Sequence, residues 1–442
     1  MPYTKNFKWG AATAAFQIEG GWDADGKGPG LWDGAFLPEG AVRGSHTGDI
    51  ACDHYHLWHQ DVQLMRELGL QSYRFSISWP RVLPGGIGAL NTAGMDFYDR
   101  LIDALLEAGI EPCVTLYHWD LPRALYLRGG WLNSDSPNWF AEYAEKMAKR
   151  FSDRIFRWIT LNEPQCFIGH GLQTGLHAPF LRLSEADVLT AVHNALLAHG
   201  KGVQALRAAA CQQLHIGTAM VGCVHMPESD APAHVEAARQ AMFRTDMASV
   251  FNAAWWSDPI FLGRYPADGL DFHAAHMPMI GQTDMEIISQ PVDFFGVNIY
   301  SGTPAPGIQP IAPPRTQMDW EVHPEALYWG PRFLWERYGK PVCVTENGMA
   351  NCDWIMQDGQ IHDYARIDYL CRYLTALDHA SADGVEVDGY YQWSLLDNFE
   401  WALGYERRFG IVHVDYETQK RTPKDSAFWY RDWIAEHNVS SP

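Results

Sequence analysis

Apolar residues follow two spacings that alternate along the chain. In residues 96–108, Phe97, Leu101 and Leu105 recur at the interval typical of one helix face. Between such stretches lie short runs of β-favouring and apolar residues that end in polar residues and indicate buried strands. The predicted strands are residues 7–16, 72–77, 112–118, 157–163, 215–221, 292–300, 342–346 and 389–394. The predicted helices include residues 57–68, 96–108, 138–151, 186–210, 234–256, 325–338 and 364–378.

This alternation of eight strands with helices determines the fold class that we expect. Parallel strands joined by helices form an α/β protein, and eight such units favour a closed (β/α)8 TIM barrel. An open doubly wound sheet stays possible, but no GxGxxG turn follows the first strand. The 442 residues contain no Ser/Gly-rich linker and no abrupt change of composition. We therefore expect a single domain over residues 1–442.

Two of the predicted strands deliver a glutamate to the point where the chain must turn. Residues 342–345 lead into Glu346, and residues 157–162 lead into Glu163. A carboxylate removed from water costs free energy unless it is hydrogen-bonded or used in chemistry. In a TIM barrel all strands end on one face, where the active sites of this fold lie. We expect both acids at that face, although either could simply cap the next helix.

The other strand ends carry hydrogen-bonding or aromatic side chains. Those expected around the two acids are Gln17, Arg74, His118, Asn162, Asn298, Tyr300 and Trp393. Aromatic residues make up 13% of the chain and include 19 Trp, whose rings suit the flat faces of sugars. Together these residues predict a sugar-binding pocket.

Two carboxyl groups in a sugar pocket suggest hydrolysis of a glycosidic bond. One carboxyl protonates the leaving oxygen, and the other meets the positive charge that develops at the anomeric carbon. A separation of about 5–5.5 Å between them goes with retention of configuration, and one of about 6.5–9.5 Å with inversion. The sequence leaves both outcomes open.

The net charge and the cysteine content limit which binding partners and which cellular compartment we expect. The formal net charge is −20, which disfavours nucleic acid or an anionic membrane as a partner. We expect no transmembrane helix and no secretory signal, because no apolar run is long enough and the first ten residues contain no apolar segment. The eight cysteines show no repeated CxxC spacing, which favours reduced thiols in a cytoplasmic protein. The acidic residues between Asp378 and Asp388 look like a solvated loop.

Eight motifs in order resemble one known family, although single motifs of this kind are weak signals. They are Phe16-Gln-Ile-Glu-Gly20, Tyr73-Arg-Phe-Ser-Ile-Ser-Trp-Pro-Arg81, Tyr117-His-Trp-Asp-Leu-Pro122, Thr160-Leu-Asn-Glu-Pro164, Asn298-Ile-Tyr300, Val344-Thr-Glu-Asn-Gly348, Trp393-Ser-Leu-Leu-Asp-Asn-Phe-Glu-Trp401 and Arg408-Phe-Gly410. With these motifs the chain resembles glycoside hydrolase family 1, the β-glucosidase family, nearly from end to end.

The resemblance implies a retaining β-glycosidase with Glu163 as acid/base and Glu346 as nucleophile, and with no metal or other cofactor. Arg74 and Tyr300 match family positions that touch the nucleophile, and Asn162 matches the residue bonded to the sugar 2-hydroxyl. Trp393 matches the floor under the sugar ring, and Trp320 a wall of the aglycone entrance. The other residues implied to contact substrate are Gln17, His118, Trp119, Asn298, Glu400, Trp401 and Phe409.

One motif separates sugar classes within the family. Members that act on 6-phosphorylated glycosides replace the Glu-Trp pair by a Ser, whereas Glu400-Trp401 is intact here. We expect a carboxylate at this place to repel phosphate. The predicted partners are therefore small unphosphorylated β-glucosides, such as cellobiose and aryl glucosides, with glucose as product. β-Galactosides and β-fucosides are expected as secondary substrates.

Three positions depart from the family pattern. Gln165 stands where many relatives carry Trp, and His170 stands where apolar residues are usual. Both are expected to line the outer cleft, so neither aglycone preference nor glucose inhibition can be carried over. Ile299 replaces a more common Tyr between Asn298 and Tyr300, which we expect to be tolerated.

Several other interpretations remain at this point. A transglycosidase could use the same two acids, and a non-catalytic sugar-binding barrel is disfavoured because both are present. His54, His56 and His59 could bind a metal, but their spacing fits neither HExxH nor a zinc finger, and packing at a helix start is favoured. The long Pro-rich stretch 303–315 is expected at the rim of the site. The oligomeric state is not predicted.

Overall fold

The protein is described by a computed structural model that covers residues 3–305 and 312–437. Eight parallel strands form a closed barrel, in which each strand pairs with the next and the eighth pairs with the first. The predicted (β/α)8 TIM barrel is confirmed. The strands are β1 (Trp9–Ala12), β2 (Ser72–Ser76), β3 (Glu111–Tyr117), β4 (Arg157–Asn162), β5 (His215–Val221), β6 (Phe295–Asn298), β7 (Val342–Asn347) and β8 (Val387–Trp393). β9 (Val412–Val414) and β10 (Arg421–Pro423) form a separate antiparallel pair.

Helices occupy the connections between the strands. The longer ones are amphipathic and turn their apolar residues to the barrel, as in α4, where Phe97, Leu101 and Leu105 are buried while Leu106 is exposed. The described α-helices are α1 (Ala15–Ile18), α2 (His54–Glu67), α3 (Trp79–Val82), α4 (Thr92–Glu107), α5 (Arg123–Tyr126), α6 (Ser136–Phe151), α7 (Glu185–Ala209), α8 (Pro232–Phe243), α9 (Ala254–Leu262), α10 (Ala267–His273), α11 (Asp284–Ile288), α12 (Ala326–Tyr338), α13 (Tyr364–Ala382) and α14 (Asp425–Glu436).

Two elements differ from the sequence-based expectation. The helix predicted over 234–256 is two helices, α8 and α9, because the side chain of Asn252 accepts a hydrogen bond from the amide of Trp255 and so starts a new helix. The strand predicted over 7–16 ends at Ala12. Gln17 therefore lies on the short helix α1 and not at a strand end.

Apolar side chains pack both inside the barrel and between the barrel and its helices. The smaller cluster draws alternate residues from six strands, as expected for a barrel interior filled with side chains: Ala12, Cys113, Ile159, Ala219, Cys343 and Tyr391. All eight cysteines lie within the described residues and are free thiols. Within residues 3–305 and 312–437, none of the helices combines the length and hydrophobicity needed to cross a bilayer.

Charged residues fill the end of the barrel at which the strands begin. Asp388 near the start of β8 accepts hydrogen bonds from Arg157 of β4 at 2.5 Å and from His215 of β5 at 2.8 Å. Both Arg157 and Asp388 are buried. The prediction of a solvated loop from Asp378 to Asp388 is therefore wrong, because α13 continues to Ala382 and Asp388 belongs to the barrel.

Candidate active site

The acids predicted at two strand ends meet in one cavity of about 240 Å³ at the opposite end of the barrel. The predicted residues that line it are His118, Trp119, Glu163, Tyr300, Trp320, Glu346, Trp393, Glu400, Trp401 and Phe409. Four others, Gln17, Arg74, Asn162 and Asn298, are buried and join the lining residues through hydrogen bonds. Three other cavities are larger, at about 350, 380 and 470 Å³, but none of them is lined by an acid from the end of a barrel strand, so the chemistry indicates the cavity that contains Glu163 and Glu346.

Among the described residues, no cation is hydrogen-bonded to Glu163. It follows β4 with a φ of 44°, a left-handed conformation that is strained for a side chain other than glycine. Its Oε1 accepts a hydrogen bond from the Asn298 amide at 2.8 Å, and its Oε2 from the Cys166 thiol at 3.3 Å. Burial, followed by the charge of Glu346, raises the pKa of Glu163 to about 8. The group is therefore suited to hold a proton at neutral pH.

Glu346 is held by a cation and a phenol. Its Oε1 accepts from Arg74 at 2.7 Å and its Oε2 from the Tyr300 hydroxyl at 2.5 Å. Burial raises the pKa of Glu346, whereas Arg74 and Tyr300 lower it. Since Glu163 has no such cation, a proton shared by the two acids rests on Glu163 and leaves Glu346 ionised.

Asn162 connects the nucleophile side of the cavity to His118. Its Oδ1 accepts from Arg74 at 2.7 Å and from the Asn298 amide at 3.1 Å, so its Nδ2 faces His118 Nε2 at 3.1 Å. An amide N–H there requires Nε2 to accept, which places the imidazole proton on Nδ1. Burial and Arg74 lower the pKa of His118 well below its usual value, so the ring is neutral. Its Nδ1 has no hydrogen-bond partner within the described residues and is free to donate to a ligand.

Gln17 and Glu400 form a second polar group. Gln17 Nε2 donates to the carbonyl of Phe399 at 3.0 Å and to Glu400 Oε2 at 3.3 Å, while its buried Oε1 has no partner in the part of the chain described. Burial and then the charges of Glu346 and Glu163 raise the pKa of Glu400 to about 8. Unpaired buried acceptors and donors of this kind are costly unless a ligand satisfies them.

Aromatic rings form the walls between these polar groups. Trp119 and Trp401 lie against each other with ring centres 4.6 Å apart, and Trp320 lies 5.1 Å from Tyr300. Trp119 and Trp401 have φ angles of 75° and 47°, so three non-glycine residues of the site, with Glu163, adopt left-handed backbone conformations. Such strain is concentrated at functional sites in proteins.

Two positions outside the common pattern have different outcomes. His170 lines the cavity, as predicted. The prediction for Gln165 is wrong: its side chain is fully buried, donates to the carbonyl of Asn252 at 3.3 Å and does not line the cavity. Gln165 begins a π-helix, Gln165–Thr174, and its Oε1 accepts from the amide of Val221 at 3.4 Å, so both ends of the side-chain amide are bonded to backbone outside the cavity.

Sequence reasoning missed several lining residues. Cys166 lies three positions after Glu163, a spacing that places the two side chains on one face of a helical turn and could have revealed it. Phe251 lies in the connection that was predicted to be helical. His177 and Met318 carried no sequence signal.

Two further predictions concern the histidines near the start of α2 and the Pro-rich stretch 303–315. His54 Nδ1 donates to Asp61 Oδ2 at 2.8 Å inside α2, and Asp61 also pairs with Arg421, so His54 is part of the packing at the helix start. Among residues 3–305 and 312–437, no three His, Cys, Asp or Glu residues are grouped so that they could hold a metal ion. Of the stretch 303–315, residues 306–311 lie outside the described residues, and Thr303 forms a bridge with His225.

Comparison with known proteins agrees with this geometry. The family model "Glycosyl hydrolase family 1" matches residues 1–439. β-Glucosidase A of Thermotoga maritima is 43% identical over 99% of this chain and 98% of its own length. A bifunctional β-D-glucosidase/β-D-fucosidase of Bifidobacterium breve is 39% identical over 99% of both chains. The solved structure of a β-glucosidase from Thermotoga maritima in complex with glucoimidazole superposes with a TM-score of 0.90 at 43% identity and covers 99% of both chains. The chain belongs to glycosyl hydrolase family 1.

Proposed function

We propose that this protein is a retaining β-glucosidase in which Glu346 is the nucleophile and Glu163 the acid/base. One observation carries the proposal. Of the three carboxyls that line the cavity, only Glu346 is paired with Arg74 and Tyr300. Glu400 is bonded to Gln17, whereas burial, followed by the charge of Glu346, raises the pKa of Glu163 to about 8. Two acids whose surroundings separate their proton affinities are suited to the two different roles of the reaction.

In the first step, Glu346 attacks the anomeric carbon while Glu163 gives its proton to the glycosidic oxygen. The bond between that carbon and oxygen breaks, and the alcohol leaves. The ester formed on Glu346 removes the negative charge that raised the pKa of Glu163, which then becomes a base. In the second step, Glu163 takes a proton from water and the water oxygen attacks the anomeric carbon. The bond between that carbon and Glu346 breaks, Glu346 becomes a carboxylate again, and the sugar leaves with its original configuration.

The polar groups around the acids are proposed to bind the hydroxyls of the terminal sugar. Gln17 Oε1 and His118 Nδ1 are buried without a partner in the described chain and offer one acceptor and one donor. Asn162, whose orientation Arg74 and Asn298 fix, is assigned to the 2-hydroxyl. Trp393 forms the floor, Trp119, Trp401 and Phe409 lie beside the ring, and Trp320 stands at the aglycone entrance. Glu400 is proposed to bind sugar hydroxyls at the far side.

The proposed substrates are β-glucosides without phosphate, such as cellobiose and aryl glucosides, with β-fucosides and β-galactosides turned over more slowly. The names of the relatives support glucosides and fucosides. Discrimination against phosphate rests on the size and polarity of Glu400 and on the ionised Glu346 nearby. Glu400 itself is largely uncharged at neutral pH, because burial raises its pKa to about 8. A higher kcat/KM for a 6-phosphoglucoside than for the free glucoside would contradict this.

The roles of nucleophile and acid/base can be tested by removing each carboxylate in turn and adding azide. In Glu346→Gly, azide should enter from the face that Glu346 occupied and give α-glucosyl azide from an activated aryl glucoside. In Glu163→Ala, azide should attack the glycosyl-enzyme from the opposite face and give β-glucosyl azide. Proton NMR of the wild-type reaction should show the β anomer of glucose first. Release of the α anomer, or undiminished turnover by Glu346→Gly, would overturn the proposal.

We further propose that residues 1–442 form one catalytic domain that acts in the cytoplasm without a cofactor. The eight free thiols support a reducing compartment.

A further inference from the structure

Cys166 contacts the acid/base candidate directly. Its thiol lies 3.3 Å from Glu163 Oε2, it is buried, and it lines the cavity. The backbone fixes this contact, because the amide of Cys166 donates to the carbonyl of Glu163 at 2.8 Å in the first turn after β4. The left-handed φ of Glu163 then turns its carboxyl back toward the thiol.

The two oxygens of Glu163 have different neighbours. Oε1 accepts the N–H of Asn298 at 2.8 Å and is thereby committed as an acceptor. The acidic proton therefore belongs on Oε2, which is the oxygen that the thiol contacts. A thiol donates to an ionised carboxylate and gains much less from a protonated one, so this contact acts differently on the two forms of Glu163.

Other ionisable groups also face Glu163, and each comes from a different part of the barrel. Glu346 and Glu400 disfavour its ionised form, whereas Arg74 favours it. The remaining groups are Tyr300, Cys223, His118 and His170. Apart from the Cys166 thiol and the neutral amide of Asn298, no group in the described residues donates a hydrogen bond to the carboxyl group of Glu163.

We propose that Cys166 is a positioning residue for Glu163: its S–H bond orients Oε2 toward the glycosidic oxygen and sets the upper pH limit of the first step. The proposal rests on the acid/base role proposed above. Burial and the charge of Glu163 raise the pKa of the thiol well above its usual value, so it remains a donor over the working range. Cys166 thus acts through Glu163 and needs no reactivity of its own.

Two variants separate the hydrogen bond from the volume of the side chain. Cys166→Val removes the donor with little change of size, and Cys166→Ser keeps a donor. The measurement is kcat/KM against pH for an alkyl β-glucoside, whose poor leaving group requires protonation, and for 2,4-dinitrophenyl β-glucoside, whose leaving group does not. For the alkyl substrate, the basic limb of Cys166→Val should move up by about half a pH unit, because an acceptor that loses a donor becomes more basic. The basic limb of Cys166→Ser should stay at or below that of the wild type.

The outcomes decide between this proposal and its alternatives. A basic limb of Cys166→Val at the wild-type position, or equal upward shifts in both variants, would overturn it. Should Cys166→Val fail to fold, as judged by circular dichroism and Tm, Cys166→Ala is subject to the same criterion. A wrong assignment of Glu163 would appear separately: Glu163→Ala would then keep its rate on the alkyl substrate and give no β-glucosyl azide.

Discussion

At the scale of single residues, the two acids differ chiefly in their neighbours. Arg74 is buried and donates to Glu346 through Nη1, to Asn162 through Nη2 and to Thr115 through Nε at 3.1 Å. One guanidinium thus keeps the nucleophile Glu346 ionised and also orients the side-chain amide of Asn162, which is assigned to the sugar. A point charge could replace only the first of these functions.

Variants of Arg74 should separate these two functions. Arg74→Met removes the cation, so the pKa of Glu346 should rise and the acidic limb of kcat/KM should move to higher pH, with a loss of about 10³-fold at pH 6. Arg74→Lys keeps the charge and should leave the acidic limb near its wild-type position. Its kcat/KM should be lower by the same factor at every pH, because Asn162 loses one of its two donors. Equal acidic limbs in all three proteins would contradict this role. Thermal unfolding shows whether each variant is folded.

At the scale of elements, buried charges hold the loop between β8 and β9 that carries Glu400, Trp401 and Phe409. Asp397 in this loop accepts from Lys424 at 2.8 Å, from Arg408 at 2.7 Å and from the amide of Gly410 at 3.0 Å. Lys424 also donates to Asp353 at 2.6 Å. Lys424 and Asp397 are fully buried, so neither has water as a substitute partner.

Removal of Lys424 should therefore disturb both stability and substrate binding. Lys424→Met leaves Asp397 and Asp353 with one partner fewer, which should cost about 3–5 kcal/mol of stability. Because the loop that carries Glu400 and Trp401 loosens, KM should rise more than kcat falls. The matched control is Lys420→Met, four residues earlier at an exposed position, which should change neither. The measurements are urea unfolding and steady-state kinetics. A Lys424→Met protein with wild-type KM would exclude this role of the ion cluster.

A comparison of predicted with observed elements shows which features of the fold and the site could be predicted from the sequence. Six of the predicted strands agree with the observed strands to within two residues at each end, because runs of apolar residues directly indicate buried strands. The strands predicted over 7–16 and 292–300 are longer than β1 and β6. The acids at 163 and 346 followed from the same pattern, because a carboxylate that ends a buried strand requires an explanation. Local hydrogen bonds are not visible in such patterns. The Asn252 side chain starts a second helix within one predicted helix. Hydrogen bonds to the backbone of Val221 and Asn252 keep Gln165 out of the cavity, whereas Cys166 contacts Glu163.

At the scale of the whole molecule, the two ends of the barrel differ in the side chains that they carry and in what those side chains do. The cavity lies where the strands end, and an ion cluster closes the end where they begin. Arg157 of β4 donates to Asp388 of β8, on opposite sides of the strand order, and His215 of β5 approaches the same carboxylate. In TIM barrels, this second end contributes to stability and not to catalysis.

Asp388→Asn should therefore destabilise the barrel and leave catalysis intact. Burial alone would raise the pKa of Asp388, but His215 and Arg157 outweigh it and lower this pKa below its unfolded value. The stabilisation that Asp388 contributes is therefore fully present above the unfolded pKa and is lost as the pH falls through the folded pKa. The variant should be about 3 kcal/mol less stable than the wild type at pH 7, because it leaves the buried Arg157 with only the more distant carboxylate of Glu111, at 3.5 Å. This difference should persist down to about pH 4 and shrink below it, where the wild-type carboxyl becomes protonated.

Glu386→Gln, two residues earlier and exposed, is the control and should behave as wild type. Urea unfolding from pH 7 to pH 3 measures the difference, and kcat/KM at pH 6 and 25 °C should agree for all three proteins. A stability gap that widens toward low pH would mean that Asp388 is not held ionised by its partners.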